Sequence, residues 1–141
     1  MSRIINVDNP SKIRNQRMRT SAEILRQLSQ KPTLDDEVKD MVAHLVFCLR
    51  DINETIEHSA EVWEKRNYWI KAEELRRSWD WVIRMVADTE SLLRNDDWAS
   101  FPSILAGLFQ HVGNIKIKKM TRSSTTWGGD YAKLMDELGS N

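Results

Sequence analysis

The residues best suited to chemistry in this chain lie close together. Glu54, Glu57, His58 and Glu61 fall at spacings that share one side of a helix. Carboxylates with a histidine on helices hold paired metals in some helical bundles, but those sites need Glu-x-x-His motifs from two helices plus two further glutamates. Only a single cluster is present here, in Glu-x-x-Glu-His order, so a solvated acidic face is expected instead. His44 and Cys48 stand four apart, a spacing that can present two metal ligands, but nothing completes a tetrahedral set. Cys48 falls in an apolar seam, where a free cysteine packs as a small hydrophobe. His111 is isolated beside Phe109 and Val112. No glycine-rich phosphate loop, nucleophile elbow or zinc-protease motif occurs. No catalytic residue, metal, cofactor or small-molecule substrate is therefore expected.

The elements that carry these residues read as helices. Residues 34–63 place Leu34, Val38, Met41, Leu45, Cys48, Ile52, Ile56, Ser59 and Trp63 at alternating steps of four and three. That is a sustained heptad seam. Thr33 is the expected cap, with Asp35, Asp36 and Glu37 in the first turn, where the helix dipole favours anions. After Trp63 the seam loses phase and restarts as Tyr68, Ala72, Leu75, Trp79, Val82, Val86, Thr89 and Leu93. A phase break at Arg66-Asn67 predicts a tight turn between antiparallel helices, since asparagine tolerates the left-handed conformation.

An earlier helix starts at Asn9-Pro10-Ser11 and runs to Gln30, with Ile13, Ile24, Leu25 and Leu28 as its thin stripe. A fourth is expected from Asp97 or Phe101 to Lys119, seamed by Trp98, Phe101, Leu105, Leu108, Val112 and Ile115 and weakened by Gly107 and Gly113 unless another helix approaches there. TRSSTTWGG, residues 121–129, reads as a loop before a short amphipathic helix carrying Tyr131, Leu134, Met135 and Leu138. The predicted fold is all-α: a four-helix up-down bundle with a short C-terminal amphipathic helix, one domain over residues 1–141, with residues 1–8 a flexible arm and 121–141 loop plus helix.

Composition agrees. Hydrophobic residues are 40% and charged residues 30% of 141, with five Gly and three Pro, so long helices and one core are feasible without disulfides. The first residues lack the apolar core of a secretory signal, and no apolar run approaches the roughly 20 residues of a membrane span. Cytoplasm is the expected compartment, with no membrane partner.

Two surfaces could serve a partner. Residues 70–92 carry a second apolar stripe, Ile70, Trp81, Met85 and Leu92, opposite the seam. With Trp127 and Tyr131 it forms the expected protein interface, covered by the C-terminal tail or by a second copy in a homodimer. The leading expectation is thus a non-catalytic, self-associating interaction or scaffold protein. The alternative is a nucleic-acid-binding protein. Segments 12–26 and 116–122 supply Lys12, Arg14, Arg17, Arg19, Lys116, Lys118, Lys119 and Arg122, which would merge if the first and fourth helices are neighbours. Net charge is zero, but residues 1–31 hold seven Lys or Arg against two Asp or Glu, and residues 32–64 hold two against nine. The first two helices are expected to lie together with complementary charge.

The seam also makes a prediction about Cys48. Burial between Leu45 and Ile52 raises a thiol pKa and blocks reagents. Native protein should react with a thiol reagent far more slowly than urea-unfolded protein; equal rates would mean the register is wrong.

Overall fold

The structure is a computed structural model, and it describes residues 9–139; the expected arm, residues 1–8, lies outside the described residues. Among the described residues there are helices and no strand: α1 (Pro10–Gln30), α2 (Asp36–Lys65), α3 (Trp69–Ser78), α4 (Asp80–Asn95), a 3-10 turn (Trp98–Ser100), α5 (Phe101–Val112), α6 (Ser124–Trp127) and α7 (Asp130–Gly139).

The start of α1 follows its sequence. The Asn9 side chain accepts from the Lys12 N–H at 3.2 Å, and Pro10 sits in the first turn. At the other end the chain turns through Lys31-Pro32. The cap of α2 is Asp35, not the expected Thr33: its carboxylate accepts from the Val38 N–H at 2.9 Å. Lys31 holds the same connection, 2.8 Å from Asp35 and 3.1 Å from Glu37.

α2 is the element everything else covers. Its seam residues Val38, Met41, Leu45, Cys48, Ile52 and Ile56 are buried, but so are Val42, Ala43, Val46, Phe47 and Leu49. A helix apolar on every side must be enclosed. α1 packs on one side of it, α3 and α4 on another, and α6 and α7 on a third. α5 completes the body by packing against α1 and α4. The predicted pairing of oppositely charged helices is present: Arg17 of α1 meets the buried carboxylate of Asp51 at 2.8 Å.

Asn67 turns the chain after α2, as predicted, with φ 64°. The Tyr68 N–H donates to the Trp63 carbonyl and the Asn67 N–H to the Glu64 carbonyl, both at 2.9 Å, which closes a Schellman motif. The expected single helix beyond it is two helices. It breaks at Trp79 (φ −115°, ψ 11°), next to Ser78, whose hydroxyl donates to the Leu75 carbonyl. Such back-bonding competes with the helical ladder and bends it.

The break corrects the reading of the second apolar stripe. On one unbroken helix Trp79 and Trp81 would point to opposed sides. Across the break their rings stack, 6.0 Å apart and 28° from parallel. Met85 and Leu92 are buried in the core cluster with Ile104 and Leu108 of α5. Gly107 allows this approach, since an added Cβ would stand 3.3 Å from the Met85 methyl. So α5 covers most of the stripe that was expected to need the tail or a second copy.

α5 itself ends at Val112, seven residues before the expected Lys119. At Gly113 a Cβ would fall 2.5 Å from the Phe109 carbonyl oxygen and 2.7 Å from its ring, so only glycine fits there. The chain then runs along α1 as a strap without regular structure. Its backbone groups still need partners, and side chains of α1 supply them. Arg26 donates to the carbonyls of Ile115 (2.9 Å) and Ile117 (3.4 Å), Arg19 to that of Lys119 (3.0 Å), and Gln27 to that of Arg122 (3.1 Å). Glu23, with no solvent exposure, accepts from the Thr121 N–H at 2.6 Å, the Thr121 hydroxyl at 2.9 Å and the Arg122 N–H at 2.9 Å.

The tail is docked in the same manner on α2. Part of the expected loop is helical: a capping box of Ser123 and Thr126 starts α6. Trp127 is buried and its indole N–H donates to Glu37 at 3.2 Å. The Tyr131 N–H donates to Asp40 at 2.9 Å, His44 lies 2.6 Å from Asp130, and Arg50 bridges Glu137 and Glu90 at 2.8 Å each.

Glu23 yields a stability prediction. Burial pushes its carboxyl up, but the donors on Arg122 and Thr121 outweigh burial and hold it below the usual carboxylate range. A depressed folded pKa gives stability that is full above the unfolded value and lost as pH falls through the folded one. Glu23→Gln should lower the urea midpoint at neutral pH by an amount equivalent to about 1–3 kcal/mol. Its stability should also depend less on pH than that of the parent in the acid range. Parallel acid profiles for the two proteins would remove Glu23 as the clasp.

Candidate interaction surface at the helix hairpin tip

The acidic cluster does not converge. Glu57 is paired outward with Arg76 of α3 at 3.2 Å, and Arg76 also meets Glu64 at 2.6 Å. These contacts hold Glu64 below the carboxylate range, mainly through the Arg76 hydrogen bond, and raise Arg76 further above its already high value. Glu54 and Glu61 are exposed and His58 is partly buried. Among the described residues no group of three or more His, Cys, Asp or Glu is placed to hold a metal. His44 faces Asp130, while Cys48 is buried. A hollow between α4 and α5 has Met85, Leu92 and Ile104 for a floor and Asp88, Ser91 and Asp97 on its rim; none of its lining residues is a histidine, cysteine or lysine.

The two basic segments do lie side by side, joined where Arg19 reaches the Lys119 carbonyl. Five of their nine cations are already engaged, Arg26 among them through the carbonyls of Ile115 and Ile117. Arg14 donates to the Thr55 hydroxyl and carbonyl and to Ser59, and its guanidinium lies 5.5 Å from the centre of the Trp79 ring. Burial lowers the pKa of Arg14. Arg17 is held by Asp51, Arg19 by Glu23, and Arg122 donates to Thr20. Lys12, Lys116, Lys118 and Lys119 are exposed. The last three were expected in a helix and lie in the strap instead.

The expected interface residues separate in the same way. Met85, Leu92 and Trp127 are core, and Tyr131 is partly buried with the Lys39 ammonium 5.5 Å from its ring centre. Trp81 is partly buried against His111 of α5, with centroids 3.9 Å apart and planes 2° from parallel. Burial, then the charge of Arg84, pushes the His111 pKa down. Ile70 alone of the six is on the surface, at 74% exposure.

Ile70 has company that the seam analysis missed. Trp69 is 60% exposed and Tyr68 50%, although Tyr68 had been assigned to the core seam. Val62 on the facing end of α2 is also exposed. The Schellman turn at Asn67 brings these side chains to one end of the α2–α3 hairpin. Beneath them Trp63 and Tyr68 meet edge to face at 5.7 Å, and the Lys71 ammonium lies 4.8 Å and 5.6 Å from their ring centres. Lys65 and Arg66 are exposed at the end of α2. The one carboxylate within residues 62–71, Glu64, is tied to Arg76. The signal in the sequence was that Trp69 belongs to no seam before or after the phase break, and that Ile70 belongs only to the second stripe. Such a surface can bury aromatic and aliphatic area and attract an anionic counterpart.

No family model matches the chain, and no curated protein or solved structure matches it.

The two classes of tryptophan should respond differently to truncation. Trp81→Ala removes a ring packed on His111 and Trp79 and should cost roughly 2 kcal/mol or more. Trp69→Ala and Ile70→Ala should change stability by no more than about 0.5 kcal/mol. Urea denaturation of the three variants measures this; a large loss at Trp69 would place the tip inside a folded contact.

Proposed function

We propose that this chain is a non-catalytic interaction protein: a helical scaffold that presents the α2–α3 hairpin tip to a partner. The observation that carries the reading is the exposure in succession of Tyr68, Trp69 and Ile70 beside Lys65, Arg66 and Lys71, with Val62 also exposed near the end of α2. Trp, Tyr and Arg dominate binding energy where proteins meet other surfaces, and a monomer gains nothing from leaving such side chains bare. On this reading α1, α2, α4 and α5 are the four positions of an up-down bundle, with α6 and α7 docked outside it, and the compartment is the cytoplasm.

Self-association is the weaker form of the reading. Of the stripe that suggested a homodimer, only Ile70 remains on the surface. Two copies meeting tip to tip would also oppose Lys65, Arg66 and Lys71 to one another, and like charges in contact select against a partner. Nucleic-acid binding keeps Lys12, Lys116, Lys118 and Lys119, a patch fit for weak, salt-sensitive phosphate contact.

The test places a photo-crosslinking amino acid at Ile70 and, in a second variant, at Arg84, whose side chain is also exposed on α4. Irradiated in its native cell, the Ile70 variant should give adducts, protein or lipid, that the Arg84 variant lacks. Absence of adducts at Ile70, or the same adducts at both positions, overturns the hairpin tip as the contact surface.

A further inference from the structure

The geometry points to an anionic membrane surface as the partner of the hairpin tip, an inference that rests on the tip being the contact surface. It replaces the expectation from sequence that no membrane is involved. No helix among the described residues is long and apolar enough to cross a bilayer, so the contact is peripheral.

Three observations favour lipid over an acidic protein. The first is the kind of side chain exposed. Exposure rises from Val62 (38%) through Tyr68 (50%) and Trp69 (60%) to Ile70 (74%), so an aliphatic group and two aromatics are open to solvent together. Tryptophan and tyrosine partition to the headgroup region, with an apolar body inward and a polar edge outward. The second is charge. Lys65, Arg66 and Lys71 flank this wedge on both sides in Lys-Arg-Asn-Tyr-Trp-Ile-Lys; of the carboxylates around it, Glu64 is paired with Arg76 and Glu73 with Arg77, and Glu61 and Glu74 are exposed further from Ile70 in the sequence. Lysine is depleted where proteins bind proteins, but a basic cluster beside apolar groups is attracted to anionic lipid. The Lys71 ammonium lies over the Trp63 and Tyr68 rings, a cation–π contact that keeps positive charge next to the aromatic part of the wedge. The third is placement. Among the described elements α3 packs chiefly on α2 and α4 rather than on α1, α5 or the tail, which leaves the α3 side of the hairpin end open.

A wedge of so few side chains plus a few cations gives reversible binding that salt weakens. The experiment is co-sedimentation of the full chain with vesicles of phosphatidylcholine alone and of phosphatidylcholine with about 30% phosphatidylserine, at low ionic strength. The parent should bind the anionic vesicles about ten-fold more tightly than the neutral ones, with a blue shift of tryptophan emission. Ile70→Glu and Trp69→Ala should each lower that affinity about ten-fold, and Lys65→Glu with Arg66→Glu should remove the preference for phosphatidylserine. Arg84→Glu, on a different face, should bind as the parent does. Equal sedimentation with both vesicle types, or undiminished binding by Ile70→Glu, overturns the inference. If vesicles are not bound while the Ile70 crosslinker captures a protein, the lipid assignment falls and the tip remains the contact surface.

Discussion

Between Met41 and Ile52, α2 has almost no side open to solvent. Ten of those twelve residues are buried, and the other two, His44 and Arg50, are occupied by Asp130, Glu137 and Glu90. A helix so apolar cannot stand at the edge of a bundle, because each uncovered large side chain would forfeit about 1.5–3 kcal/mol of burial. Every other element is therefore placed by the need to surround it or to cover what surrounds it. α1 and α4 flank it directly. α5 closes over Met85 and Leu92 of α4. The tail lies along the remaining strip of α2, with Trp127 and Leu134 buried there.

Charge in this molecule is chiefly a means of holding irregular chain against regular helix. The strap has no ladder of its own, so Arg19, Glu23, Arg26 and Gln27 of α1 act as a template for its backbone. The polar strip Glu37, Asp40, His44 and Arg50 of α2 holds the helical tail, chiefly through its side chains, with Asp40 accepting from the Tyr131 N–H. These positions recur at helical spacing, as a line of contacts along one face must. Both sets resemble solvated surface when only their own helix is considered. Of the predicted nucleic-acid contacts, Arg19 is used internally in this way.

Once these contacts are made, most of the large apolar side chains have a place. Leu34, Ile83 and Phe109 are exposed one at a time, whereas at the hairpin end Tyr68, Trp69 and Ile70 are exposed in succession. That end is fixed by backbone chemistry: Asn67 in the left-handed conformation ends α2 and sets where Tyr68, Trp69 and Ile70 emerge. The tip is thus a surface of defined geometry. Its rigid aromatics lose little conformational freedom on contact, which is what makes such residues effective anchors.

The sequence by itself determined the all-helical class, the seam of α2, the turn at Asn67, the start of α1 at Pro10 and the closing helix from Asp130. Each of these is local: a heptad pattern, a cap, a left-handed asparagine or a proline acts within a turn or two of itself. It also placed Cys48 correctly, because that seam was unambiguous. Tertiary structure decided the rest. One seam suffices to recognise α2, but whether its other faces are wet depends on elements far along the chain. The break at Trp79 inverted the relation between Trp79 and Trp81, since a side chain's direction past a kink no longer follows the helical period. The end of α5 at Gly113 turned an expected basic helix into a strap, because steric space beside Phe109 and acceptors for Arg26 exist only in the packed molecule. Ile70 and Met85 looked alike in the stripe, and only the arrival of α5 over one and not the other separated core from surface.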